Sequence, residues 1–269
     1  MVHFNRKQIT INSTILFVIA SIAAMTLHEF GHFFASIIVG APGISIHHNY
    51  TSSNNSELSL PALLFLKGAG PFISIVIGLL FHFICSQQAK RNNRFLFNLY
   101  MAAFGYIGFF GYLMIAPLFP GGDTGYICYA LGFPIWLTAI VAAVGGFSLY
   151  LSISSLSNYF VTMGSAEIME DKESRTLFMR SLLKYPIFIG IIIITLMNLP
   201  TRALLSLIAP LTSPLALFWA YGSALNKNQT SVISNREFDA FSQPNYYLIF
   251  WLVVTIVVNR LLVIGISAN

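Results

Sequence analysis

Seven apolar runs set the terms on which this chain can fold: residues 10–39, 61–85, 95–117, 126–157, 185–200, 203–222 and 246–265. A helix needs about 20 apolar residues to cross the hydrocarbon layer of a bilayer. Inside lipid every backbone N–H and C=O must be satisfied internally, which helices achieve and open sheets do not. Charged residues make up 9% of the 269 positions and apolar ones 56%, with a mean hydropathy of +0.74. A soluble domain carries roughly a quarter charged residues. The expected fold is an all-α polytopic membrane protein with about seven transmembrane helices. Its longest polar stretches, 158–184 and 223–245, are too short for an independent aqueous domain.

A polar segment rich in Ser and Asn, residues 41–59, follows the first run. Alternation in Ile44-Ser45-Ile46 and in Leu58-Ser59-Leu60 predicts the two strands of a small hairpin. Pro117 to Asp123, with Pro120, Gly121 and Gly122 between, breaks the helix after the third run. The net charge of +5 comes from basic residues in the loops, which orient a membrane protein and give no reason to expect nucleic acid. Eleven of them, from Arg6, Lys7, Lys90, Arg91 and Arg94 to Arg236, fall on one side, against Lys67, Arg202 and Arg260 on the other. That bias places the N-terminus in the cytoplasm. Cys85 and Cys128 lie in apolar surroundings without a CxxC pattern, so thiolate-held zinc is not expected. Arg6 and Lys7 precede an apolar run that continues past His32, longer than the core of a signal peptide.

Within that first run stand His28, Glu29, Phe30, Gly31 and His32, an HExxH pattern. On a helix, positions i and i+4 point the same way, so the two imidazoles converge on one ion with a carboxylate beside them. Of nine acidic residues, Glu29 alone lies within an apolar run, and Asp123 lies at the edge of two. An ionisable group at membrane depth is costly and by default marks function. Zinc takes a third protein ligand and leaves one position open. Asp123, on its flexible Pro-Gly-Gly approach, is the best candidate; His47, His48 and Glu57 are the alternatives, and His82 is expected to bond a neighbouring helix. The chemistry that follows is hydrolysis of an amide, with Glu29 as the general base. It needs a polar cavity that admits water between the helices.

Three segments resemble the site-2 protease family of intramembrane zinc metalloproteases. They are Leu27 to His32, then Gly68-Ala69-Gly70-Pro71 at the start of the second run, then Pro117 to Asp123. The resemblance covers residues 10–125. It implies a three-helix metalloprotease core with His28, His32 and Asp123 on Zn2+, Glu29 as base, and a membrane-associated β-hairpin after the first helix. The chain departs from the family where an Asn is usual: Met114 stands three residues before Pro117, and Ser74 follows the Gly-Pro segment. Thr124, not Gly, follows Asp123. Asn98 is the candidate to contact substrate or a developing oxyanion in their stead. There is no room for a PDZ domain.

The expected organisation is a catalytic core in residues 1–125 and accessory transmembrane helices in 126–269. The expected function is that of a zinc endopeptidase that cuts a membrane protein in or near a transmembrane segment. Its partners would be that substrate and the lipid bilayer, without nucleic acid. The alternatives are an inactive relative that binds transmembrane helices without cutting them, a metal transporter, and a structural membrane protein with a chance motif. Counting 1.5 Å per residue from Ile9 puts His28 about 28 Å along its helix, towards the outer face. The family resemblance places the site nearer the cytosol.

Overall fold

The computed structural model describes residues 4–201, 207–226 and 241–268. Arg202, Lys227 and Arg236 of the charge count, and part of the sixth apolar run, lie outside them. The described residues are mostly helical, with seven helices long and apolar enough to cross a membrane and one small sheet.

Helix α1 (Arg6–Ile38) starts at Asn5, whose side chain accepts from the Gln8 N–H. This cap satisfies one of the N–H groups that a helix start leaves free. At 33 residues it is about 50 Å long, and it runs through the middle of the bundle. Two of its polar side chains bond neighbouring elements. Asn12 Nδ2 donates to the carbonyls of Phe241 and Gln243, and Ser13 Oγ and the Tyr100 hydroxyl both donate to the Leu182 carbonyl. Phe17 packs edge-on against Tyr100 and Phe104.

Helix α2 (Leu60–Gln87) begins with Pro61 in its first turn, where a missing N–H costs nothing. Helix α3 (Asn93–Tyr106) is capped by Asn92 and continues through a π-helical turn, Ile107–Gly111, into α4 (Tyr112–Ile115). α2 and α3 cross where Gly78 meets Gly105. A Cβ on Gly105 would run into the Gly78 backbone, so small residues set this close approach. Gly111, six residues further on, faces no such neighbour: its Cβ would meet only Ile107 Cγ2, at 3.9 Å.

The fourth apolar run, 126–157, is two elements and not one span. A short helix α5 (Asp123–Ala130) ends at a turn with Gly132 at φ +68°, and α6 (Ile135–Val161) begins after Pro134. Beyond it come α7 (Ala166–Glu170) and α8 (Lys172–Met179), then a π-helical turn (Arg180–Lys184) into α9 (Tyr185–Met197). The fifth membrane-length helix is therefore Lys172–Met197, and much of the expected polar loop 158–184 is helical. Its charges hid an amphipathic pattern, for Phe178, Met179, Leu182 and Leu183 are fully buried. α10 (Ile208–Thr212), a 3-10 turn (Ser213–Ala216) and α11 (Leu217–Leu225) follow, then α12 (Tyr246–Ile264).

The hairpin after α1 is present, but only its first strand lies where expected. β1 (Ile44–Ile46) pairs antiparallel with β2 (Thr51–Ser52), in register Ile46 to Thr51. Leu58 to Leu60 is not a strand; Leu60 opens α2. A third strand, β3 (Ile266–Ala268), joins the other edge of β1 with Ile44 opposite Ala268, giving the order β2-β1-β3.

Gly105→Ala should lower stability by about 1–3 kcal/mol through overpacking, while Gly111→Ala should leave it unchanged or raise it. Thermal melting of the two variants in detergent reads the contrast.

Candidate metal centre

His28 and His32 lie one turn apart on α1 and are both buried. Their Nε2 atoms are 3.2 Å apart, with the rings edge-to-face. Asp123 is the first residue of α5, and its Oδ2 lies 3.1 Å from each of those nitrogens. The turn before it is fastened by the Gly122 N–H, which donates to the Phe119 carbonyl. The Thr124 hydroxyl donates to the Tyr112 carbonyl at 2.5 Å. These bonds tie α5 to α4 and bring a carboxylate from 91 residues away in sequence onto His32.

The far side of each imidazole fixes what the near side offers. His32 Nδ1 is 2.8 Å from the Leu66 carbonyl, which can only accept, so that nitrogen carries the proton. In the neutral ring, Nε2 is then a bare lone pair aimed at an oxygen of Asp123. His28 Nδ1 has Ser74 Oγ at 2.9 Å. A proton can bridge two such atoms, whereas a metal ion takes all three. Bonds of about 2.0–2.1 Å give a tetrahedral zinc site an edge of about 3.3–3.4 Å. The observed 3.1, 3.1 and 3.2 Å lie within a few tenths of that. Among the described residues, His28, His32 and Asp123 are the group of such side chains able to hold a metal ion.

α2 forms the floor. A Cβ on Gly70 would collide with His32 Nε2 and stand 2.6 Å from His28 Nε2, so only glycine leaves the imidazoles their convergence. Pro71 next to it has no N–H for the Lys67 carbonyl one turn back. The Lys67 side chain holds the other carboxylate oxygen, with Nζ 3.8 Å from Asp123 Oδ1, and stands over the ring of Tyr126. Ser74 reaches His28 because Gly108 faces it. A Cβ on Gly108 would lie 2.7 Å from Ser74 Oγ.

Glu29 is buried next to the group and is held by the hairpin. The Thr51 hydroxyl lies 3.1 Å from Glu29 Oε2 and 2.9 Å from the Glu29 carbonyl. The hairpin itself is anchored on the end of α9, where Asn49 Nδ2 and His48 Nε2 both bond the Asn198 carbonyl. Burial holds the His48 imidazole below its ordinary pKa, which keeps it neutral. The Tyr112 ring lies flat on His28, with centroids 5.1 Å apart and planes 14° apart.

Of the residues singled out in the sequence, His28, His32 and Asp123 come together and Glu29 lies beside them. Asn98 does not join them. Its Nδ2 donates to Gln88 Oε1 at the far end of α2, eighteen positions past Gly70, a rise of about 27 Å. The α3 register that buries Asn98 aims it away from the imidazoles. His47 stacks on Tyr50, Glu57 is exposed, and His82 bonds the Tyr106 hydroxyl. Cys85 and Cys128 are both free thiols. Lys67, Thr51 and Tyr112 went unmarked as site residues. Lys67 had a signal, being a cation inside an apolar run. Thr51 and Tyr112 had none, since their roles arise from a turn and a helix irregularity.

Comparison with models of protein families, with curated proteins and with solved structures finds no match.

Two substitutions test the centre. Gly70→Ala should abolish metal binding by displacing the imidazoles. Ser74→Ala should weaken it by about 10–100-fold, the usual cost of losing a group that orients a ligand. Metal content after dialysis against graded chelator measures both.

Proposed function

We propose that this chain is an intramembrane zinc endopeptidase, akin to the site-2 proteases, acting on a transmembrane segment of another membrane protein. One observation carries the reading: three lone-pair atoms from His28, His32 and Asp123 meet at one point, with the Glu29 carboxylate on the same helix. A zinc ion bound by those three would act as a Lewis acid and lower the pKa of a bound water to near 7. The residues supply the rest. Glu29 accepts the proton of the attacking water at its carboxylate and returns it to the nitrogen of the leaving amine. Thr51 fixes which way that carboxylate faces. Ser74 and the Leu66 carbonyl fix the imidazoles, and Lys67 leaves one oxygen of Asp123 turned inward.

The surroundings suit an apolar substrate at membrane depth. α2, α6 and α12 turn Phe72, Phe83, Trp136, Phe147 and Phe250 outward, a surface that lipid covers and water disfavours. An apolar cleft of about 640 Å³ runs between α1 and α2 and is lined by Phe30, Phe34, Phe65 and Phe72. A substrate helix entering there would have to unwind to present its backbone, because a helical carbonyl is already hydrogen-bonded. We place the N-terminus on the cytoplasmic side, from the distribution of Lys and Arg. The remoteness of Asn98 favours a second reading, a relative that binds transmembrane helices without cutting them.

Metal analysis and terminal-peptide mass spectrometry separate these readings. The chain purified without chelators should carry about one zinc ion for its one three-ligand site. Glu29→Gln should keep that metal. New peptide termini within or beside transmembrane segments should appear in membranes holding the native chain and vanish with Glu29→Gln. A chain without metal overturns the zinc reading. A metal-bearing chain whose peptide termini do not respond to Glu29→Gln is the non-cutting binder.

A further inference from the structure

Hydrolysis of an amide places negative charge on the carbonyl oxygen, and a donor aimed at that oxygen is commonly worth about 100-fold in rate or more. Neither position where the resemblance puts an Asn can supply it here. Ser74 sits at Nδ1, on the side of the His28 ring away from the metal ligands, and Met114 has no hydrogen to donate. We propose that the Tyr112 hydroxyl is that donor, and the assignment rests on the endopeptidase reading above.

Four observations point to it. First, the Tyr112 ring is stacked flat on the imidazole of His28, with centroids 5.1 Å apart and planes 14° apart. That stacking puts the phenol beside the metal ligands. Second, no hydrogen bond among the described residues uses it. The buried Tyr100 and Tyr106 spend theirs, Tyr100 on Ser13 and Leu182 and Tyr106 on His82, whereas Tyr112 is half-buried. Third, two nearby donors are committed, Thr51 to Glu29 and Lys67 to Asp123. Fourth, Tyr112 is fixed from both sides. The π-helical turn Ile107–Gly111 sets its direction, and Thr124 grips its carbonyl. The donor and the carboxylate ligand thus move as one unit.

A phenol fits the place. It is neutral in its resting form and adds no charge at membrane depth, yet it is a stronger donor than an aliphatic hydroxyl. Its proton stays on the phenolic oxygen throughout; Tyr112 makes and breaks no covalent bond. It stabilises the oxygen as charge develops and has less to offer the uncharged carbonyl, so its effect falls on kcat more than on KM.

Tyr112→Phe keeps the ring stacked on His28 and removes only the hydroxyl. In the full chain in detergent, metal content and melting temperature should match the native protein. With a peptide spanning a Glu29-dependent cut, kcat should fall about 100-fold, with KM within about twofold. Acetohydroxamate, whose oxygen occupies the place of the attacked carbonyl oxygen, should bind the metal-loaded variant about tenfold more weakly, a fraction of the full donor effect. An unchanged kcat, or an unchanged hydroxamate affinity, overturns the assignment. Loss of metal from the variant also overturns it, by making Tyr112 a support for His28. If the native chain cuts nothing, the endopeptidase reading falls by itself, and the hydroxamate isotherms still decide whether Tyr112 donates at this centre.

Discussion

Two helices meet at a glycine, and the centre depends on that contact. α1 presents its imidazoles to Gly70 of α2 at a distance no side chain could survive. Gly31, inside the HExxH pattern, allows the same closeness from the other side, since a Cβ there would stand 2.7 Å from the Ala69 carbonyl oxygen. Close backbone approach lets the Leu66 carbonyl reach His32 Nδ1, and that bond leaves a bare lone pair facing Asp123. In a bilayer, where helices gain little from hiding apolar surface from each other, such small-residue contacts supply much of the packing energy.

The departures from the resembled family acquire local causes. Thr124, where a Gly is usual, uses its hydroxyl to fasten the Tyr112 carbonyl. Ser74, where an Asn is common, is short enough to sit against Gly108 and still touch His28. Met114 turns outward and is 39% exposed, so a polar residue there would face away from the centre.

What could be read from the sequence was whatever repeats or costs energy locally. The spacing of His28 and His32, the isolation of Glu29 in an apolar run and the long spans all follow from helix period and lipid thickness, and they recur in the structure. Asp123 was legible as a charge at a membrane edge. The break at Gly132, the helix at Lys172 and the displaced second strand were not, because a turn residue or an amphipathic stretch reads the same inside a long span or a loop. Asn98 failed for a different reason. Its residue type suited the chemistry, but only the three-dimensional path of α2 reveals that its partner sits at the distant end. Thr51 and Tyr112 depend on the register of a two-residue strand and on a π-helical turn, and neither leaves a mark in composition or period.

The pairing of β1 with β3 joins Ile44 to Ala268. Among the described residues no other strand contact closes so long a loop, and long closures form late. β3 lies more than two hundred residues after β1, and it completes the sheet whose other edge carries Thr51 over Glu29. Two distant stretches of the chain thus share one small sheet, and a change in residues 266–268 would reach Glu29 through β1 and Thr51.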